Sequence, residues 1–151
     1  MEIEKKYILK HIPKDLDSYR HCEIEQGYLN REPVLRIRKK DDAFILTYKS
    51  KGMMIRREEE FPLTEEAYLH LREKVDGRLI SKTRYFIPYK EYMIELDVFH
   101  EAMAPLVMAE VEFETEKQAD NFVPPSWFSD EVTFEKKYQN VNMALGGYDY
   151  E

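Results

Sequence analysis

The chain opens Met1-Glu2-Ile3-Glu4-Lys5-Lys6, with carboxylates at residues 2 and 4 and a lysine at 6. On an extended strand alternate side chains share a face, so these three charges point one way while Ile3, Lys5, Tyr7 and Leu9 point the other. Carboxylate oxygens suit Mg2+ or Mn2+ and an ammonium suits phosphate, so such a strand can hold a divalent cation beside an anion. The same spacing recurs along the chain. Arg36 and Arg38 share a face, as do Arg56, Glu58 and Glu60, then Lys82 and Arg84, Glu95 and Asp97, and Glu110 and Glu112. Lys49 falls on the face of Ile45 and Thr47. For any one strand, a solvated and salt-bridged sheet face accounts for the pattern. Across seven strands it does not, because an ordinary solvated face would also carry Ser, Thr, Asn and Gln. If the sheet closes on itself the charged face becomes a lumen, where crowded like charges are costly unless a metal and a polyanion offset them.

The elements that must position these residues are mostly strands, expected near 1–10, 21–30, 34–40, 43–50, 55–62, 78–88, 91–99 and 106–115. Asp41-Asp42 and Ser50-Lys51-Gly52 read as tight turns. Thr64 to Val75 breaks the alternation: Thr64 is an N-cap candidate, Ala67, Tyr68 and Leu71 keep helical spacing, and Gly77 reads as a stop. Short helices are expected over Glu116 to Phe122, ended by Pro124-Pro125, and over Asn140 to Leu145, before Gly146-Gly147. Trp127 is expected to anchor a connection to the wall, and the acidic end Tyr148-Asp149-Tyr150-Glu151 to fray. The fold class is mainly β (α+β): an eight-stranded antiparallel closed barrel with a few flanking helices.

Length and composition agree with a single domain over residues 1–151, with 43% apolar and 13% aromatic residues and no linker-like tract. No apolar run reaches membrane-spanning length, so no membrane partner is expected. The lone Cys22 fits a reducing cytoplasm. A net charge of -7 argues against nucleic-acid binding, while leaving room for an anionic ligand gathered by bases inside a cavity. His11, His21, His70 and His100 lack zinc-site spacing, and no glycine-rich phosphate loop is present.

Glu2-Ile3-Glu4-Lys5-Lys6 resembles the ExExK signature of the CYTH proteins, the triphosphate tunnel metalloenzymes. The resemblance runs in order through Gln26-Gly27-Tyr28-Leu29, Arg36-Ile37-Arg38, Thr47-Tyr48-Lys49 and Arg56-Arg57-Glu58-Glu59-Glu60. It continues through Ser81-Lys82-Thr83-Arg84-Tyr85, Glu95-Leu96-Asp97 and Ala109-Glu110-Val111-Glu112-Phe113, and closes at Glu131-Val132-Thr133 and Lys137-Tyr138-Gln139-Asn140. It implies a tunnel that binds a linear triphosphate with Mg2+ or Mn2+. On the matching positions, Glu2, Glu4, Asp97, Glu110 and Glu112 become metal ligands. Lys6, Arg36, Arg38, Lys49, Arg56, Lys82 and Arg84 become the phosphate grip. Glu58 and Glu60 either touch metal or orient the arginines. In small bacterial members a lysine of the first motif pairs with a tyrosine of the next strand. The counterparts are Lys6 and Tyr28, in a catalytic role that activates water or favours linear tripolyphosphate.

The resemblance to the small bacterial members implies a metal-dependent hydrolase acting on inorganic tripolyphosphate, as a monomer or homodimer. Two other readings stay open: an enzyme of organic triphosphates (adenylyl cyclase, thiamine triphosphatase or nucleoside triphosphatase), and a non-catalytic polyphosphate binder.

Overall fold

The computed structural model describes residues 1–146, so the expectation for Tyr148 to Glu151 lies outside the described residues. The strands are β1 (Glu2–Leu9), β2 (Arg20–Asn30), β3 (Val34–Lys40), β4 (Ala43–Lys49), β5 (Ile55–Arg56), β6 (Glu58–Pro62), β7 (Asp76–Tyr89), β8 (Tyr92–Phe99), β9 (Val107–Phe113) and β10 (Phe128–Glu131). Three helices accompany them: α1 (Glu65–Arg72), α2 (Glu116–Asn121) and α3 (Asn140–Leu145). All strand pairings are antiparallel, in the order β10-β1-β9-β8-β7-β2-β3-β4-β6, with β5 returning to β1.

That return bends the sheet into a barrel. The expected strand over 55–62 is split at the exposed Arg57. Its second half pairs with β4 (Lys49 opposite Glu58), and its first half pairs with β1 (Glu2 opposite Arg56). Counting the two halves as one strand gives the expected ring of eight: β1, β9, β8, β7, β2, β3, β4 and β5/β6. β10 was not foreseen. It lies beyond the ring, beside the second half of β1, with Tyr7 opposite Glu131 and Leu9 opposite Phe128.

Strand alternation then sorts the side chains. Glu2, Glu4 and Lys6 turn inward, while Ile3 and Tyr7 turn out into an apolar cluster with Ile94, Leu96, Val111, Phe113 and Phe122. This first hydrophobic cluster therefore lies outside the barrel wall, beside α2 and β10. Trp127 packs at its edge, in an edge-to-face contact with Phe128 at 4.8 Å. A second cluster, containing Tyr28, Val34, Ile80, Met108, Val141 and Met143, seats α3 against β7 and β2.

The expected cap at Thr64 is formed, and Thr115 caps α2 in the same way. Thr64 Oγ1 accepts from the Ala67 amide at 3.0 Å, and Thr115 Oγ1 from the Gln118 amide at 3.1 Å. Gly77 is not a helix stop, since α1 ends at Arg72. It sits within β7 at φ +64°, and a Cβ there would fall 2.2 Å from the Ala144 carbonyl oxygen. A glycine is what lets the end of α3 lie directly on the strand.

Candidate active site

The barrel encloses a cavity of about 270 Å³ whose wall carries seven acidic and seven basic side chains. Register places many of them directly opposite one another: Lys6 with Glu110, Glu110 with Glu95, Lys49 with Glu58, Glu2 with Arg56, and Glu4 with Glu112. Glu2, Glu4, Lys6, Arg36, Lys49, Arg84 and Glu110 are all buried. Burying so many charges is sustainable only with partners, since each unpaired ion costs several kcal/mol after relaxation.

The charges are not evenly mixed. Lys49 Nζ lies 3.1 Å from Glu2 and 3.4 Å from Glu58, and Lys6 Nζ lies 3.9 Å from Glu110 and 4.0 Å from Glu4. Arg84 reaches Glu95 at 3.0 Å and Glu110 at 3.4 Å. Among the described residues, no ion pair is formed by Arg36, Arg38, Lys40 or Arg56. The Nε groups of Arg36 and Arg56 are buried without a hydrogen-bond partner. Among the described residues Arg36 donates only to Thr47 Oγ1 (3.2 Å), which contacts Glu60 at 3.5 Å. Arg38 donates twice to the neutral Gln26 Oε1, at 2.9 and 2.6 Å. Burial, with Arg36 and Arg84 nearby, pushes the Arg38 guanidinium down to about 9. In the ring of eight, β3 is four strands from β9 in either direction. A cationic wall therefore faces an acidic one.

The acidic wall is strained in the complementary sense. Burial raises Glu4, and Glu110 raises it further against the pull of Lys6. Burial raises Glu2, with its carboxyl contact to Glu58 adding to this. Burial and the neighbouring Glu2, Glu95 and Glu4 raise Glu112. Burial also pushes Glu110 upward, but Lys6, Arg84 and Lys82 prevail and hold it well below the usual carboxylate range. These are hard oxygen donors whose mutual repulsion a divalent cation would relieve, so the donor set fits Mg2+ or Mn2+. Among the described residues, no three acidic, His or Cys side chains already converge as a coordination shell.

All the residues singled out from the sequence lie on the inner face of the wall, but at two depths. Glu2, Glu4, Lys6, Tyr28, Arg36, Arg38, Lys49, Arg56, Arg84, Glu110 and Glu112 line the cavity. Asp97 and Lys82 do not: each is only 1% exposed, and they pair with each other at 2.8 Å. Asp97 also takes Arg84 in a two-pronged contact at 2.8 and 2.9 Å. Its carboxylate is thus occupied in orienting bases. Burial pushes Lys82 down to about 8, partly offset by Asp97. Lys6 and Tyr28 both face the cavity, but among the described hydrogen bonds Tyr28 is joined to Gln26 (2.9 Å) rather than to Lys6. Glu58 contacts Lys49, and Glu60 reaches an arginine only through Thr47.

Sequence reasoning assigns no site role to Glu95, Lys40, Gln26 or the first turn of α3, although Glu95, Gln26 and Asn140 stand in the motifs quoted above. Glu95 and Lys40 carried a readable signal, since both keep the period of two with residues already chosen. Gln139, Asn140 and Val141 line the cavity from α3 and the residue before it, and Asn140 Oδ1 accepts from Lys82 at 3.2 Å.

The fold is thus an antiparallel barrel whose inner surface carries facing acidic and basic walls. No family model matches the chain. An inorganic triphosphatase of Nitrosomonas europaea is 36% identical over 149 residues, covering 95% of this chain and 97% of its own length. Another, from Acetivibrio thermocellus, is 32% identical over 158 residues, covering 97% and 95%. A crystal structure of an inorganic triphosphatase matches at a TM-score of 0.72 and 33% identity, covering 97% of this chain and 95% of that one. The chain belongs to the CYTH family, within the group of these inorganic triphosphatases.

Proposed function

We propose that this chain hydrolyses inorganic tripolyphosphate to pyrophosphate and phosphate inside the barrel, with Mg2+ or Mn2+ as cofactor. One observation carries the reading: arginines without acidic partners on one wall of the cavity face carboxylates raised by burial and by one another on the other. A linear triphosphate laid along the cationic wall, with divalent cations between it and the acids, neutralises both.

Arg36, Arg38 and Arg56 grip phosphate oxygens, the guanidinium fork suiting two oxygens at once. Lys6, Lys49 and Arg84 add positive charge at points fixed by Glu110, Glu2 and Asp97. Lys82 acts one layer behind, with Asp97 aiming the bases instead of ligating metal. Glu2, Glu4, Glu110 and Glu112 would hold the cation, which supplies polarisation of the phosphoryl group and activation of water. Water adds to the terminal phosphorus, the bridging P–O bond breaks, and pyrophosphate departs. Phosphoryl transfer of this kind asks the protein chiefly for position and charge, which this wall is built to give.

The reading is tested by incubating the protein with tripolyphosphate and Mg2+ or Mn2+. One orthophosphate and one pyrophosphate per substrate consumed supports it, and no phosphate release under either metal refutes it.

A further inference from the structure

Gln26 is fully buried at the centre of the network that lines the tunnel, yet it carries no charge and touches none of the acids. Its two ends are not interchangeable. Arg38 has only donors, and both of its bonds fall on one Gln26 atom, which must therefore be the carbonyl oxygen. The amide nitrogen is thereby fixed on the other side. It donates to Tyr28 Oη at 2.9 Å and to Asn140 Oδ1 at 3.4 Å. A phenol that accepts from an amide keeps its own proton for another partner. Tyr28 lines the cavity, so that proton is available to the lumen.

We propose that Gln26 is a positioning residue: anchored by Arg38, it holds Tyr28 as a hydrogen-bond donor toward the phosphate chain and ties that arrangement to Asn140 of α3. The inference rests on the triphosphatase reading and deepens it. Tyr28 then serves as a fixed donor to charge developing on phosphate oxygens, a role that strengthens in the transition state. The side chain that sets its direction sits at the opposite point of the ring from β1, which carries Glu2, Glu4 and Lys6.

Gln26→Glu provides the test. A carboxylate still accepts from Arg38, but it has no proton to give Tyr28 and accepts the phenol's proton instead, turning the donor away from the lumen. The expected result is a fall in kcat for tripolyphosphate of about tenfold or more with KM changed little, the mark of an interaction made in the transition state. In a Tyr28→Phe background the same substitution should cost almost nothing further, since the two residues act as one unit. Gln26→Met, of similar length, gives a second route to the same cycle if the glutamate variant fails to fold, and its loss too should be largely absorbed by Tyr28→Phe. Effects of the Gln26 and Tyr28 substitutions that multiply independently would overturn the proposal, as would a rise in KM at constant kcat. Wild-type protein inactive on tripolyphosphate would instead overturn the underlying reading, and this proposal with it.

Discussion

At the scale of residues, the site divides into charges that are satisfied and charges that wait for a ligand. Glu4 belongs to the second kind. Burial and Glu110 raise it above its ordinary value, so the folded chain holds the Glu4 proton more tightly than the unfolded chain does. Its contribution to stability is complete at low pH and is lost as pH rises through the folded value. Glu4→Gln should therefore raise the unfolding midpoint of metal-free protein near neutral pH by a few degrees, ~1 kcal/mol corresponding to roughly 2–4 °C in a chain of this size. The gain should vanish in acid, where Glu4 is already neutral, and thermal scans across pH will show whether it does. A gain that persists in acid would place its origin elsewhere. Arg38 and Glu110 separate the two halves of the site. Arg38→Ala should raise KM for tripolyphosphate by about tenfold to a hundredfold, the worth of a charge-assisted hydrogen bond, and lower kcat as well by freeing Gln26, with metal dependence unchanged. Glu110→Gln should move half-saturation by Mg2+ or Mn2+ upward by about tenfold or more. Metal titrations of activity read both, and equal metal dependence in Glu110→Gln and wild type would remove Glu110 from the cation site.

At the scale of elements, the strands were legible because their chemistry repeats every second residue: Glu2/Glu4/Lys6, Arg36/Arg38 and Glu110/Glu112 could lie on one face only as strands. Depth was not legible. Spacing put Asp97 and Lys82 on the inner face, but only packing shows that they seal against each other behind the cavity wall. Gln26 escaped selection because a neutral amide leaves no mark in a charge pattern. β10 escaped because four residues after a Pro-Pro segment are too few to show alternation. The position of α3 was hidden for a different reason. It depends on Gly77, fifty residues and more away in sequence, whose missing Cβ admits the Ala144 carbonyl. Gly77→Ala should strain the positive φ by roughly 1–2 kcal/mol and push α3 from its seat. The expected outcome is a lowered unfolding midpoint with faster amide exchange at Met143 and Gly146, whose N–H groups close the turns of α3. Exchange in β1 and β9 should hold. Unchanged protection of α3 would mean that the helix is seated without this contact.

At the scale of the whole molecule, the barrel interior is divided between an ionic cavity and an apolar cluster under α3. One hydrophobic cluster lies outside the wall, whereas the second, which shares Tyr28, Val34 and Val141 with the cavity lining, fills the part of the interior that α3 covers; the rest of the lumen is polar and ionic. Equal numbers of acids and bases line that lumen, so the net charge of -7 resides on the rest of the molecule. A general polyanion gains nothing from such an exterior, whereas a short phosphate chain that enters the tunnel meets the cationic wall directly. Among the described residues the cavity wall also offers little for a nucleoside: Tyr28 is its one aromatic side chain, and it is bonded to Gln26. The lumen thus suits a bare phosphate chain rather than a nucleotide. Phosphate release from tripolyphosphate and from ATP, measured side by side with Mg2+ and then Mn2+, tests this most directly. Tripolyphosphate should be hydrolysed with a kcat/KM well above that of ATP under at least one of the metals. Faster turnover of ATP under both metals, or silence on both substrates, would contradict it.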